Sequence, residues 1–221
     1  MKKLIDTIML FFERMLYDSR PLDPMYDHEP SADDADAVAM YETRPRQIKT
    51  LFISAGHSDA DSGAVGNGYT EAAIVTEFRD LVAEILRGRG IRFTKDGVAG
   101  KNLPLRDAIA LAKKHDVAIE WHCNAFTSQK ATGTETLCDS PGNSLSMALC
   151  DVTANVLGIP NRGSKAQSSG QHSRLGFIAT GRGIIHELFF ITNQHDLKSY
   201  LQHRHELARQ VADVLEAHVC D

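Results

Sequence analysis

Two histidines and a glutamate stand where strands and helices could bring them to one point of this 221-residue chain. His57 follows the apolar segment "TLFIS", Glu71 begins an amphipathic segment, and His122 ends the apolar segment "VAIEWH". Two imidazoles and one carboxylate can bind Zn²⁺ and leave its fourth tetrahedral position to water, as a hydrolytic site requires. A strand-end histidine can equally be a capping or surface residue, so composition alone leaves both interpretations open.

A second carboxylate is needed beside such a metal. A base must take the proton of the attacking water, and a donor must protonate the leaving amine. Glu187 is the candidate for both transfers, because it stands in the apolar segment "GIIHELFF". A charged residue in a buried strand is costly unless it has a partner or a task.

The loop "SAGHSDADSGAVGNGYTEA" separates the first histidine from the glutamate. Its glycines would let the backbone turn tightly, so that His57 and Glu71, 14 positions apart, can reach one metal. A phosphate-binding turn is the alternative interpretation of "GAVGNG". It is disfavoured because the loop lacks the P-loop lysine and the three-glycine dinucleotide pattern.

Short apolar segments alternate with longer amphipathic ones in the chain after residue 46. This alternation predicts a three-layer α/β domain with a mostly parallel sheet of about six strands flanked by helices. The predicted strands contain "TLFIS", "IRFTK", "VAIEWH", "GTETLC", "LGFIAT" and "GIIHELFF". Residues 159–174 are expected to be irregular, and residues 197–219 to form one broken helix or two. Since sites gather at the carboxyl ends of such strands, His57 and His122 should share one edge.

The first 44 residues differ in composition from the predicted catalytic domain, residues 45–221. Residues 18–44 hold eight acidic residues against two arginines, a net charge of −6 that is typical of a linker or disordered arm. Residues 1–17 form an amphipathic helix in one interpretation and a signal or membrane anchor in the other. Charged residues interrupt their apolar run, so we expect no stable membrane span.

Net charge and cysteine spacing argue against two classes of protein, nucleic-acid binders and disulfide-rich domains. The formal net charge is −5 and the basic residues are scattered, which argues against a nucleic-acid partner. The four cysteines are widely spaced and include no CxxC pair, so they predict buried or free thiols rather than a disulfide framework.

Four segments resemble, in order, the motifs of the zinc-dependent N-acetylmuramoyl-L-alanine amidases of the Amidase_3 type. "IKTLFISAGHSDADSGAVGNGYTEAAI" is similar to a strand followed by Asp-Pro-Gly-His-Gly-Gly, Asp-x-Gly-Ala and Glu, with His57 and Glu71 in place. "VAIEWHCNAF" is similar to Ser-Ile-His-Ala-Asn-Ala, with His122 and Asn124 in place.

The other two segments contribute glutamates. "GTET" is similar to the family's Gly-x-Glu strand, with Glu135 in place. "IIHELFFITNQHDLKSYL" is similar to the closing Val-Glu-x-Gly-Phe-Ile-Ser-Asn segment, with Glu187 in place. The resemblance covers nearly the whole chain after the acidic arm.

The resemblance implies one Zn²⁺ per chain, held by His57, Glu71 and His122, with Glu187 as general base and then general acid. The implied reaction is hydrolysis of the amide between N-acetylmuramic acid and the first L-alanine of the peptidoglycan stem peptide. A zinc hydrolase acting on another amide or peptide is one alternative. A wall-binding module without turnover is the other.

The implied partner is peptidoglycan, so action is expected at the cell envelope or periplasm, after synthesis in the cytoplasm and export by an undefined route. A host remodelling enzyme and a phage endolysin both fit these features. The acidic arm could bind a protein partner or mask the cleft.

The chain departs from the family motifs at several positions near the site. Ser54 and Ala55 stand where the family has Asp-Pro, and Ser58 and Asp59 stand where it has two glycines. Leu188 stands with Phe189 after the catalytic glutamate, where the family has a variable residue and glycine, and the pair is expected to crowd that glutamate.

Glu120 stands where the family has serine. Two residues before His122 in a strand, it should face the same side of the sheet. It is either a partner that holds His122 or a surface charge. Asn124 and Glu135 are further candidates for the cleft, whereas His186 should face the opposite side and be structural.

Overall fold

The structure, a computed structural model, describes residues 48–57, 60–97, 101–169 and 174–220. The amino-terminal segment and the acidic arm lie outside these residues, as do Ser58 and Asp59. The domain boundary at residue 45 and the interpretations of residues 1–44 therefore stay predictions.

A six-stranded mixed sheet forms the middle layer of the described part of the chain. The strands are β1 (Leu51–Ala55), β2 (Val65–Gly66), β3 (Tyr69–Thr70), β4 (Phe93–Lys95), β5 (Val117–Asn124), β6 (Thr134–Cys138), β7 (Asn161–Ala166) and β8 (Ile184–Phe190). The sheet has the order β4-β1-β5-β8-β6-β7, while β2 and β3 form a separate hairpin. The first four strands of that order are parallel, whereas β6 is antiparallel to β8 and parallel to β7.

Helices cover both faces of the sheet. They are α1 (Glu71–Gly88), α2 (Leu105–Ala112), α3 (Ser144–Leu157), α4 (Gly176–Ala179) and α5 (Gln194–Cys220), with a 3₁₀ turn at Gln167–Ser169. The larger apolar core lies under α1, α3 and α5, and a smaller one lies under α2 and α4. This arrangement confirms the predicted three-layer α/β fold.

The amphipathic pattern of α1 explains how the helix is placed. Ile74, Val75, Phe78 and Val82 recur at helical spacing and are buried against the sheet, so α1 lies over β1 and β5. Phe78 meets Trp121 of β5 edge to face, with ring centroids 5.4 Å apart. This packing holds the first turn of α1 at the carboxyl ends of the two strands.

Two element assignments made from the sequence are wrong. "LGFIAT" contains the short helix α4, because adjacent Phe177 and Ile178 are both buried in the smaller core, which a strand on one face would not allow. The stretch expected to be irregular contains β7, an edge strand of mostly polar residues without apolar alternation. The expected break within residues 197–219 is wrong as well, because residues 194–220 form one continuous helix.

All four cysteines are free thiols, as expected, and three of them are buried. No helix within the described ranges has the length and apolar character needed to cross a membrane.

Candidate metal and catalytic site

The three predicted metal ligands lie together where β1 and β5 end. His57, Glu71 and His122 each offer a ligand atom, and these atoms lie within 4.8 Å of one another. The Glu71 carboxylate stands between the rings, with Oε2 3.1 Å from His57 Nε2 and Oε1 2.9 Å from His122 Nδ1. The two rings meet edge to face with centroids 5.2 Å apart. The fold thus brings together three side chains that the sequence separates.

Glu71 is buried at the first position of α1. Its Oε1 accepts a hydrogen bond from the backbone N–H of Cys123 and its Oε2 one from that of Ala64, both at 2.9 Å. Burial favours the neutral acid, but hydrogen bonds from His122 and His57 outweigh burial and hold the pKa of Glu71 well below its usual range. Glu71 is therefore a fixed carboxylate, the ionised form that metal binding requires.

Two glycines make room for the rings. A Cβ on Gly56 would overlap the His122 ring. A Cβ on Gly63 would lie 2.5 Å from His57 Cδ2, and Gly63 also has a φ of +63°, which favours glycine. The glycines of this loop are therefore needed for the close approach of the two histidines as well as for the turn.

His57 has a left-handed backbone with a φ of +67°. Its Nδ1 lies 2.9 Å from Asp61 Oδ2. The hydrogen bond with Glu71 raises the pKa of His57, burial opposes that effect, and Asp61 adds to it. Burial lowers the pKa of His122, but hydrogen bonds with Glu120 and Glu71 outweigh burial and raise it well above its ordinary value. Metal binding requires the neutral imidazole and would therefore release protons.

Glu120 is buried, with 3% of its surface exposed, and contacts the ring of His122. Its Oε1 lies 3.0 Å from His122 Nε2. The interpretation of Glu120 as a surface charge is therefore wrong. Because Glu120 faces Nε2 and Glu71 faces Nδ1, Nδ1 is the atom that His122 can offer to a metal.

Glu187 lies beside the ligands on the next strand. It is the register partner of His122 in the parallel pair β5–β8 and of Glu135 in the antiparallel pair β6–β8. Its Oε2 is buried and has no hydrogen-bond partner among the described residues. Burial raises the pKa of Glu187 to about 7, while the charge of His122 lowers it and those of Glu71 and Glu135 raise it. A carboxyl group with a pKa near 7 can accept and donate a proton at neutral pH.

Asn124 and Glu135 extend the site away from the metal ligands. Asn124 Nδ2 donates to Glu135 Oε1 at 3.1 Å, and Glu135 Oε2 accepts from Arg162 Nε at 2.5 Å and Lys165 Nζ at 2.7 Å. Burial raises the pKa of Glu135, but the two cations outweigh burial and lower it. Neither cation was predicted as part of the site from the sequence, and both lie on β7. Two basic residues in the polar segment "NRGSKA" are the signal that could have indicated them.

Leu188 and Phe189 do not crowd Glu187, so that expectation is wrong. The register of β5 and β8 shifts directly after the pairing of His122 with Glu187. Both side chains are buried in the larger core, and Phe189 stacks on Tyr200 with centroids 4.9 Å apart. The irregularity in the strand lets Phe189 face the helices instead of the site.

The donor set fits zinc better than a harder cation. Zinc accepts imidazole nitrogen together with carboxylate oxygen, whereas Ca²⁺ and Mg²⁺ take mainly oxygen ligands. Three protein ligands would leave one tetrahedral position for water or substrate. The distances between the ligand atoms and the space left by the glycines are compatible with such an ion.

Curated relatives match part of this chain. It is 35% identical over 115 residues to the N-acetylmuramoyl-L-alanine amidase AmiA of Salmonella typhimurium, covering 44% of this chain and 39% of AmiA. It is 31% identical over 128 residues to the endolysin of Bacillus phage SPP1, covering 53% of this chain and 47% of the endolysin. The chain thus spans less than half the length of these relatives.

Solved structures match most of this chain. A structure from Neisseria meningitidis, assigned as an N-acetylmuramoyl-L-alanine amidase, is 36% identical with a TM-score of 0.70, and the match covers 78% of this chain and 96% of that one. The Clostridium difficile amidase, at 18% identity and a TM-score of 0.68, shares the fold, with 78% of this chain and 97% of that one covered. The Amidase_3 family model, described as N-acetylmuramoyl-L-alanine amidase, matches residues 51–217. The chain therefore belongs to the N-acetylmuramoyl-L-alanine amidase family.

Proposed function

We propose that this chain is a zinc-dependent peptidoglycan hydrolase that cleaves the amide between N-acetylmuramic acid and L-alanine. One observation carries the proposal. Glu187, whose buried Oε2 has no hydrogen-bond partner among the described residues, lies in register with His122, one of three side chains that can hold a metal. Family membership supports the choice of substrate, and the arrangement of acid and ligands supports hydrolysis.

The residues that would hold one Zn²⁺ per chain are His57, Glu71 and His122. When bound, zinc supplies Lewis-acid polarisation of the scissile carbonyl and lowers the pKa of water. Glu71 contributes a full negative charge that is already fixed by two backbone N–H groups. Glu120 holds the far nitrogen of His122, which sets the tautomer and the orientation of that ring.

Glu187 performs both proton transfers in this proposal. Its ionised form takes the proton of the attacking water, and the resulting acid protonates the departing alanine nitrogen. Burial of Oε2 keeps the two forms close in free energy, because desolvation penalises the carboxylate. Glu135 is the register partner of Glu187 on β6 and accepts a hydrogen bond from Asn124, and its negative charge contributes to the raised pKa of Glu187.

We place this activity at the cell envelope, where peptidoglycan is found. The relatives include a bacterial amidase and a phage endolysin, so both origins fit the chain. The acidic arm of residues 18–44 is proposed to bind a protein partner. The mass of the mature amino terminus from the native source would show whether residues 1–44 are retained.

The proposal is tested on purified peptidoglycan with the 221-residue chain. We expect release of soluble fragments together with new amino-terminal alanine, loss of both after treatment with a zinc chelator, and recovery when zinc is added. Release without new amino-terminal alanine would indicate a different amide or peptide bond. Binding to peptidoglycan without release would indicate a wall-binding module, and either result would overturn the proposal.

A further inference from the structure

A fully buried arginine lies behind the two histidines of the site. Arg79 is on α1, on the apolar face that packs against the sheet, and exposes none of its surface. Its guanidinium donates from one nitrogen, Nη1, to Asp96 Oδ1 and to Asn102 Oδ1, both at 2.9 Å. It also pairs with Asp80 at 2.9 Å. A charged residue on the apolar face of a helix is the sequence signal that could have indicated it.

The hydrogen bond from Arg79 to Asp96 begins a branch of contacts that ends at the ring of His122. The other oxygen of Asp96, Oδ2, lies 2.9 Å from Ser54 Oγ, and the same hydroxyl lies 3.2 Å from Glu120 Oε2. Glu120 then contacts His122 Nε2 through Oε1 at 3.0 Å. Ser54 and Asp96 expose none of their surface, so the middle of this branch is fully buried.

The hydrogen bond from Arg79 to Asn102 begins a branch of contacts that ends at the backbone of His57. The side-chain amide of Asn102 accepts from Arg79 through Oδ1 and donates through Nδ2 to the carbonyl of His57 at 2.6 Å and to that of Ala55. His57 has the left-handed backbone that non-glycine residues rarely adopt. A hydrogen bond to its carbonyl therefore acts on the peptide that sets the direction of its side chain.

Two departures from the family motifs meet in the first branch. Ser54 is the register partner of Glu120 in the pair β1–β5. The motifs that the chain resembles have aspartate at the first position and serine at the second. Here the hydroxyl is on β1 and the carboxylate is on β5, and the longer glutamate reaches His122 two residues further along its own strand.

We infer that Arg79 is a positioning residue for both metal-site histidines, acting through Asp96, Ser54 and Glu120 on one side and Asn102 on the other. This inference rests on the proposed zinc site. A buried ion pair contributes little net stability, because desolvation of both charges offsets their attraction. The network therefore holds the two histidine rings in the orientation that a metal requires. Its disruption weakens metal binding about tenfold or more, which is the usual effect of changing residues that hydrogen-bond to metal ligands.

The test uses variants inside the two branches, which disconnect Arg79 from each histidine, because a change at Arg79 itself leaves buried charges unpaired and can prevent folding. Ser54→Ala breaks the first branch and Asn102→Ala breaks the second. Ser146→Ala is the matched control, since it removes an equally buried hydroxyl of α3 that bonds Asn143 O and Ser164 instead. Each protein is measured for zinc dissociation constant by chelator competition, for the visible spectrum of its Co²⁺ form, and for the metal-free melting temperature.

We expect Ser54→Ala and Asn102→Ala each to weaken zinc binding about tenfold and to change the Co²⁺ spectrum, while Ser146→Ala changes neither. Lower melting temperatures with zinc affinity and the Co²⁺ spectrum unchanged would show a purely structural network and would overturn the inference. Absence of zinc binding by the unaltered chain would overturn both the inference and the zinc site. Zinc binding without peptidoglycan cleavage would overturn the proposed function and leave the network standing.

Discussion

His122 and Glu187 are direct register partners on the parallel strands β5 and β8, so their side chains leave the same face of the sheet side by side. One faces the Glu71 carboxylate with a ring nitrogen, and the other carries a buried carboxyl oxygen. Strand pairing places such neighbours about 5 Å apart at Cα without help from any loop. The proposed metal ligand and the proposed proton carrier are therefore positioned by strand pairing within the sheet.

Replacing Glu187 by Gln should abolish the proton transfers and keep the metal. We expect turnover of peptidoglycan to fall by roughly 10²–10⁴-fold, the ordinary contribution of a general acid–base group. Zinc content, measured by atomic emission, should stay at that of the unaltered chain, because Glu187 is outside the ligand set. Glu206→Gln, an exposed change on α5, is the control. An active Glu187→Gln variant would remove this residue from the mechanism.

Replacing Glu135 by Gln should move the acid limb of the pH–rate profile to lower pH. The charge of Glu135 raises the pKa of Glu187, and its loss also leaves Arg162 and Lys165 without their shared carboxylate. Both effects favour ionised Glu187, the form needed as base. The measurement is kcat/KM against pH, with the exposed Glu84→Gln of α1 as control. An acid limb at the same pH in both proteins would show that Glu135 does not affect the pKa of Glu187.

Replacing Gly56 by Ala should weaken metal binding. The new methyl group would overlap the His122 ring and push it from its position between Glu71 and Glu120. We expect zinc affinity to fall by at least roughly tenfold, as for other changes that shift a ligand. Gly88→Ala is a matched control, because a Cβ there meets nothing within 4 Å. Equal zinc affinities of the two variants would contradict the proposed crowding.

His186 should make stability depend on pH. It is fully buried on the face of β8 opposite to Glu187, with Nε2 3.2 Å from Thr153 Oγ1, and burial lowers its pKa to about 3. The folded state therefore prefers neutral His186, and stability present above the unfolded pKa near 6.5 is lost as pH falls towards 3. At pH 5 the loss is about 2 kcal/mol, from 1.36 kcal/mol for each pH unit below the unfolded pKa.

This titration is measured by denaturant unfolding of the metal-free protein from pH 8 to pH 5. His186→Gln has no titrating ring, so the difference in unfolding free energy between the two proteins should change by about 2 kcal/mol in favour of the variant as pH falls. Parallel curves for the two proteins would show that His186 does not titrate with folding.

Much of the fold and of the candidate metal site follows from local sequence pattern. Short apolar segments and amphipathic segments recur along the chain, and five of the six predicted strands are present. The sixth predicted strand is wrong because the six apolar or small residues of "LGFIAT" are compatible with a strand and with a helical turn. β7 was missed because an edge strand of polar residues carries no apolar alternation.

The surroundings of the ligands depend on contacts between distant segments. Glu120 has the composition of a surface residue, and its burial follows from the pairing of β1 with β5, which places Ser54 beside it. Phe189 has the size to crowd Glu187, and a shift of strand register sends it into the core. Arg79 has no partner nearby in sequence apart from Asp80, and tertiary packing brings it to Asp96 and Asn102.

The sequence by itself determined the residue types, their order and the strand and helix periodicities, and with the family resemblance these predict two histidines and two glutamates as a hydrolytic set. The tertiary structure alone decided which nitrogen of His122 faces Glu71, which carboxyl oxygen of Glu187 is buried and which residues contact the proposed ligands. The physical reason is the separation along the chain of the residues that interact. Periodicity reports the side of an element on which a residue lies, whereas hydrogen bonds and desolvation depend on distances of about 3 Å between segments far apart in the chain.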